Sequence, residues 1–220
     1  MQRTSSFSWP QAVVFLAGVL VWKVSISVLL QYRHYIPPDF DSDFLFGREE
    51  YFWGVYSWAF YAHLAFGPPS LILGTLLVSD RFRKRTPKWH RWLGRVQVAG
   101  VLLLVAPSGL CMSWHAETGA IAAAGLGSLA IVTAVCTAIG WRTAVRRDFA
   151  SHRRWMWRTF TLLCSAVVIR SVGGLASVTH FEAEWLYPLT CWASWLMPLL
   201  AFESIERLGK SGLLVATTGR

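Results

Sequence analysis

The chain has 220 residues, 54% of them hydrophobic and only 15% charged, with 13 tryptophans and a formal net charge of +9. So apolar a composition excludes an ordinary soluble domain, and four cysteines scattered singly exclude a disulfide scaffold. A basic balance alone would fit nucleic acid, so the placement of the charge decides its meaning.

A helix needs roughly 20 mostly apolar residues to cross a hydrocarbon core of about 30 Å. Six segments reach that length, at 9–30, 52–79, 94–115, 120–141, 156–179 and 185–206. They predict an all-α integral membrane bundle of six transmembrane helices. The bundle forms one domain over residues 1–208, and residues 209–220, glycine-containing and rich in small polar side chains, follow as a disordered cytoplasmic tail.

The first segment, Trp9 to Leu30, exceeds the usual signal-peptide core of about 7–15 residues and lacks a small-residue cleavage site, so it reads as a retained helix. Lys23 lies near one end, where its long stem reaches the headgroups. In the loop that follows, "IPPDFDSDFLFGREE", Asp39, Asp41, Asp43 and Glu50 have the spacing of a calcium loop. Phe44, however, stands where the sharp turn wants glycine, and Pro37 and Pro38 forbid the leading helix. A solvated acidic loop with interfacial phenylalanines is the expected form.

In the second segment His63, Gly67, Ser70 and Gly74 share one face. Pro68 and Pro69 remove the amide donors for the carbonyls of Leu64 and Ala65, which predicts a kink and unpaired acceptors one turn from His63. Lipid tolerates such a break only where protein, water or a bound group satisfies it. The fourth segment carries a second stripe of small residues, Ala123, Gly127, Ala130, Ala134 and Ala138, suited to close helix packing. Each cysteine falls inside an apolar segment as a small hydrophobe, with a Cys111–Cys191 bridge as the alternative.

Most of the 21 basic residues gather in two short loops. One holds Arg81, Arg83, Lys84, Arg85, Lys88, Arg91 and Arg95, the other Arg142, Arg146, Arg147, Arg153, Arg154 and Arg158. Such loops stay cytoplasmic, which places both termini inside and the acidic loops outside. Tryptophans mark both boundaries: Trp89, Trp92, Trp141, Trp155 and Trp157 inside, Trp53, Trp114 and Trp185 outside. The charge therefore meets anionic headgroups in the cell (inner) membrane and no nucleic acid.

Two basic-loop motifs repeat, "HRWLGR" at 90–95 and "HRRWMWR" at 152–158. At a rise of about 1.5 Å per residue, His90 and His152 lie at one level, about 8–9 Å below the inner hydrocarbon boundary, in the first turns of their helices. His63 and His115 lie roughly 23 Å and 29 Å above it, a poorer match. Two imidazoles facing each other across a bundle are what axial ligation of haem iron requires. The candidate iron ligands are thus His90 with His152 and His63 with His115, with Gly94 and Gly67 leaving room for a porphyrin. Met156 reads as packing. Arg170 lies about 18 Å inside the hydrocarbon, where a charge faces a partner or a polar cavity. It would serve a haem propionate, a substrate anion, or the carbonyls that Pro68 and Pro69 free. Glu203 and Glu206 read as snorkelling or paired near Arg207.

The run 55–175, with His63, Gly67, Pro68 and Gly74, the basic loop, the two H-R motifs and Arg170, resembles the predicted membrane proteins of domain-of-unknown-function family 2306. More distantly the arrangement is similar to the cytochrome b561-like di-haem proteins. That resemblance implies haem b and transmembrane electron transfer with a quinone or other redox partner. A carrier with its cavity near His63 and Arg170, and a ligand-free structural protein, are the alternatives. No nucleophile–base motif, phosphate loop or H-E-x-x-H occurs, which excludes hydrolysis and phosphoryl transfer while leaving an oxidoreductase open.

Overall fold

The computed structural model describes residues 9–218 apart from Asp43 and Glu182, with side chains from Gly18 to Leu208. No strand occurs among the described residues. The helices are α1 (Trp9–Gln31), α2 (Glu49–Phe52), α3 (Val55–Leu77), α4 (Asp80–Arg85), α5 (Pro87–Gly100), α6 (Ala106–Ser113), α7 (Ala120–Val145), α8 (Phe149–Leu163), α9 (Ser165–Thr179) and α10 (Leu186–Thr218). The expected tail at 209–220 falls on residues whose side chains lie outside those described.

Among the described residues four spans are long and apolar enough to cross a membrane: Val55–Leu77, Pro87–Ser113, Ala120–Val145 and Phe149–Thr179. The second joins α5 to α6 through a π-helical turn, Val101–Val105. The cause is local. Pro107 has no amide for the carbonyl four residues back, and the helix widens just before it.

The helices close a ring. α3 packs on α1, on α5 and on α6; α6 packs on α7; α7 packs on α8 and α10; α10 packs on α9, and α9 returns to α1. Polarity is arranged inside out. Ser25, Ser70, Thr137, Thr159 and Ser194 are at most 1% exposed, whereas Leu30, Leu103 and Val178 are at least 69% exposed. Lipid tails are as apolar as leucine, so burial of leucine drives nothing here, and small residues that let backbones approach hold the helices together. Gly74 lies so close to Phe160 that a Cβ would stand 2.7 Å from the ring. On α7 the buried face differs from the expected stripe. Gly127 and Ala130 are buried, but Ala138 is exposed, while Gly125, Thr133, Cys136, Thr137 and Gly140 go inside. α7 lies between two neighbours: Gly127 meets Ser113 of α6, and Gly125 meets Trp192 of α10.

The loop between α1 and α3 also departs from the expected solvated form. Leu45 and Phe52 are fully buried, Phe44 stacks on Phe60 at 5.5 Å, and Phe40 meets Phe52 edge-on at 5.3 Å. Arg48 fastens this aromatic plug: it donates to Phe44 O (2.6 Å), Tyr51 Oη (2.9 Å) and His115 O (3.3 Å), and pairs with Glu117 at 3.0 Å. Among the acids, Asp39 accepts from the Asp41 amide at 3.1 Å, and Asp43 lies outside the described residues.

At the opposite, basic end Asp80 bridges Arg83 (3.0 Å) and Arg153 (2.9 Å), tying α4 to α8. The Arg83 hydrogen bond, with Arg153 adding to it, holds the Asp80 carboxyl below the usual carboxylate range. The depressed value means the tie is complete at neutral pH and is lost only as pH falls below that range. Within the bundle Arg158 of α8 grips Glu203 of α10 with two nitrogens, at 2.5 and 3.0 Å. Glu203, read as snorkelling or paired near Arg207, is thus paired with Arg158 of the second basic loop. All four cysteines are free, which removes the Cys111–Cys191 bridge.

Candidate functional site

The ring encloses a cavity of about 270 Å³ that runs from the aromatic plug into the middle of the bundle. His63, Gly67 and Ser70 of α3 line one wall, Gly109 and Ser113 of α6 another, and Ala130 and Thr133 of α7 a third. Arg170 of α9 completes it, and Arg48, His115 and Tyr187 stand at the plugged end.

His63 sits in a cradle of two glycines. A Cβ on Gly67 would stand 3.4 Å from its ring, and one on Gly109 3.5 Å. Its Nδ1 lies 3.0 Å from Ser108 Oγ. The hydroxyl of Ser108 already donates to the carbonyl of Leu104 at 2.5 Å, and a hydroxyl has one proton to give. Ser108 therefore accepts from His63, and Nδ1 carries the hydrogen. With apolar walls and a guanidinium nearby, a second positive charge is unfavourable, so Nε2 is a lone-pair acceptor.

Arg170 acts electrostatically on His63, Tyr32 and Tyr35. No hydrogen bond or ion pair to its guanidinium occurs among the described residues. The carbonyls freed by Pro68 and Pro69 do not take it: the hydroxyl of Tyr32 donates to Leu64 O, the acceptor that Pro68 leaves open. The side chain is accessible through the cavity. The rest of α9 is largely exposed, and Cβ atoms on Gly173 and Gly174 would meet nothing within 4 Å. Arg170 is itself exposed, so the cavity is open at α9.

The two histidine pairs differ. His115 stacks on Tyr51 (4.6 Å) and meets Tyr56 edge-on (5.0 Å). No hydrogen bond or ring contact joins it to His63 among the described residues. His90 and His152 stand at the same register of α5 and α8. The His90 amide bonds to Thr86 O and the His152 amide to Asp148 O, each in the first turn. They are close enough to interact electrostatically. His152 Nδ1 donates to Gly140 O at 2.8 Å, whereas His90 Nδ1 is buried without a partner. A Cβ on Gly94 would meet nothing within 4 Å. Neither inner histidine lines the cavity. No group of three or more metal-ligating side chains occurs among the described residues.

A model of predicted membrane proteins, DUF2306, matches residues 60–205. The chain belongs to the DUF2306 family. The match runs from α3 into α10 and so takes in His63, both H-R motifs, Arg170 and Glu203. No curated protein and no solved structure matches it. As a DUF2306 protein it is a multi-pass membrane protein. The family match starts after Tyr32 and Arg48, so the residue that repairs α3 and the one that fastens the plug lie outside the matched run.

Sequence reasoning missed four residues of this DUF2306 site. Tyr32 lies beyond the first apolar run, where a tyrosine reads as an interfacial anchor. Arg48 is hidden among acids. Ser108 and Gly109 turn toward His63 after the π turn, and Pro107 is the one sequence signal of that change of face. Replacing Tyr32 with phenylalanine leaves the Leu64 carbonyl without a donor, and should cost about 1–3 kcal/mol. The check is the unfolding midpoint of purified Tyr32→Phe protein in detergent, against wild type.

Proposed function

We propose that this protein is a membrane-embedded carrier that binds a small molecule in the cavity beside His63 and Arg170. One observation carries the reading: a guanidinium with no hydrogen bond or ion pair among the described residues lines a mostly apolar cavity that is open beside it. A charge at membrane depth is costly, and such residues face ligand pathways or partners. The volume lies at the small end of ligand sites, about 300–1,000 Å³. The opening at α9 gives a route in, and the bend-prone Pro68–Pro69 step of α3 borders the same space.

The same reading has six crossings. The four apolar spans are joined by α1 and the first part of α10, both packed on the ring. Both termini and the two basic loops face the cytoplasm, and the membrane is the cell (inner) membrane with its anionic headgroups.

A second reading is favoured by the inner histidines: a b-type cytochrome passing electrons between a quinone or other donor and an acceptor. His152 holds its Nδ1 proton on a carbonyl, as metal-bound histidines do, which leaves Nε2 for a ligand. The buried nitrogen of His90 and the open space at Gly94 lie on the same side of the bundle. His90 and His152 would hold the iron and nearby arginines the propionates, and the group would supply one-electron chemistry. His63, held by Ser108, and His115, packed on Tyr51 and Tyr56 with its Nδ1 buried and unbonded, fit the cavity better than a second haem.

Three measurements separate these readings. Purified protein in nanodiscs is expected to gain stability from a small-molecule ligand, and Ala130→Phe, which fills the cavity, should abolish that gain. Binding that survives the filled cavity sinks the carrier. Reporter fusions at Asp41 and Lys84 should give opposite signals, and equal signals would refute the topology. If the cytochrome reading holds, haem-supplied protein shows a reduced b-type spectrum that His90→Ala and His152→Ala each remove. Wild-type protein without haem ends that reading.

A further inference from the structure

We infer that the cavity binds an amphipathic carboxylic acid, its carboxylate on Arg170 and its apolar body among the cavity walls, and that it takes up one proton with each acid at His63. The inference rests on the carrier reading and names its ligand class.

The cavity has two guanidiniums, and they are not equivalent. Arg48 spends its donors on Phe44 O, Tyr51, His115 O and Glu117. Arg170 has none of its five donors engaged among the described residues. One free cation in an apolar chamber calls for one negative charge, and the planar fork of arginine matches a carboxylate. Arg170 is itself exposed while it lines the chamber, so the chamber is open at α9. That suits a ligand whose body partitions into the bilayer.

His63 supplies the second half. Its Nδ1 hydrogen is held by Ser108, so the nitrogen offered to the cavity is a lone-pair acceptor. A carboxylate is also acceptor-only, so the two repel unless a proton lies between them. That proton comes from the aqueous phase with the anion. It ends on Nε2 or on the carboxyl oxygen, and one hydrogen bond joins the two. No other bond forms or breaks. The chamber then holds Arg170, the acid and one added proton. The other titratable groups lining it are Tyr35, Arg48, Tyr56, His115 and Tyr187, and the α7 and α8 walls contribute none. Of these His115 is the one imidazole, and its ring stacks on Tyr51 and meets Tyr56 edge-on.

The test is titration calorimetry of the full chain in nanodiscs at pH 8, with hexanoate, hexanamide and hexanol as probes. Repeating the hexanoate titration in two buffers of different ionisation enthalpy counts the protons. Hexanoate should bind at least about tenfold more tightly than the amide or the alcohol, because a bond to a charged group is lost with them. One proton should be taken up per hexanoate. Arg170→Gln should weaken hexanoate at least about tenfold, and Arg170→Lys, which keeps the charge, should retain part of the affinity. His63→Asn keeps a donor for Ser108 but loses the Nε2 acceptor, and should bring the proton count to zero. Equal binding of all three probes, unaffected by Arg170→Gln, overturns the acid and leaves the carrier reading standing. A proton count lost in His115→Asn but kept in His63→Asn overturns the assignment to His63. If none of the probes binds, and filling the cavity changes nothing, both readings fall together.

Discussion

A backbone carbonyl inside a bilayer has no water to turn to, and the rest of this structure is arranged around that constraint. α3 breaks its own ladder at Pro68 and Pro69, and Tyr32, beyond the end of α1, reaches across to Leu64. α5 and α6 break theirs before Pro107 and widen into a π turn. Each repair moves side chains. The first brings Tyr32 and Tyr35 within the field of Arg170, and the second turns Ser108 and Gly109 toward His63. The site is thus assembled where two helices depart from regularity. Irregular backbone at membrane depth is tolerated only against protein or a cavity, and here it meets both.

What could be read beforehand follows from which forces are local. Hydrophobic length located α3, α7 and the joined spans Pro87–Ser113 and Phe149–Thr179, because crossing a bilayer is a property of one segment. The matched first-turn places of His90 and His152 followed from counting, since each lies four residues past its cap. Arg170, read as a charge that faces a partner or a polar cavity, does line a cavity. Pairings across the ring did not follow. Glu203 and Arg158 are 45 positions apart, and only the fold brings them together. The acidic loop misled for a related reason. Its acids dominate a reading by charge, yet Phe44, Leu45 and Phe52 decide its form by packing inward.

The interior of the bundle is mostly small and hydroxyl-bearing. Thr133, Thr137, Thr159 and Thr190 each return their hydroxyl to a carbonyl four residues back. They are satisfied within their own helices, and Thr137 and Thr159 also meet at 3.3 Å across α7 and α8. The few interior groups left over therefore stand out. Arg170 and His63 line the cavity, while Ser25 Oγ, His90 Nδ1, Gln97 Oε1, His115 Nδ1 and Trp195 Nε1 are buried without a hydrogen bond among the described residues. A chain that settles nearly every polar atom locally leaves its chemistry to the exceptions.

The two ion ties between α8 and its neighbours sit in different media. Arg153 and Asp80 are 54% and 45% exposed, whereas Arg158 and Glu203 are 17% and 28% exposed. At physiological ionic strength counter-ions screen exposed charges over about 8 Å, and buried pairs far less. Of these two ties, salt therefore addresses only the exposed one. Raising it loosens the fastening of α4 to α8 in the aqueous loops and leaves the grip of α8 on α10 intact. The ionic atmosphere of the compartment bathing those loops becomes a control on how freely that end of the bundle breathes, without touching its membrane-facing frame.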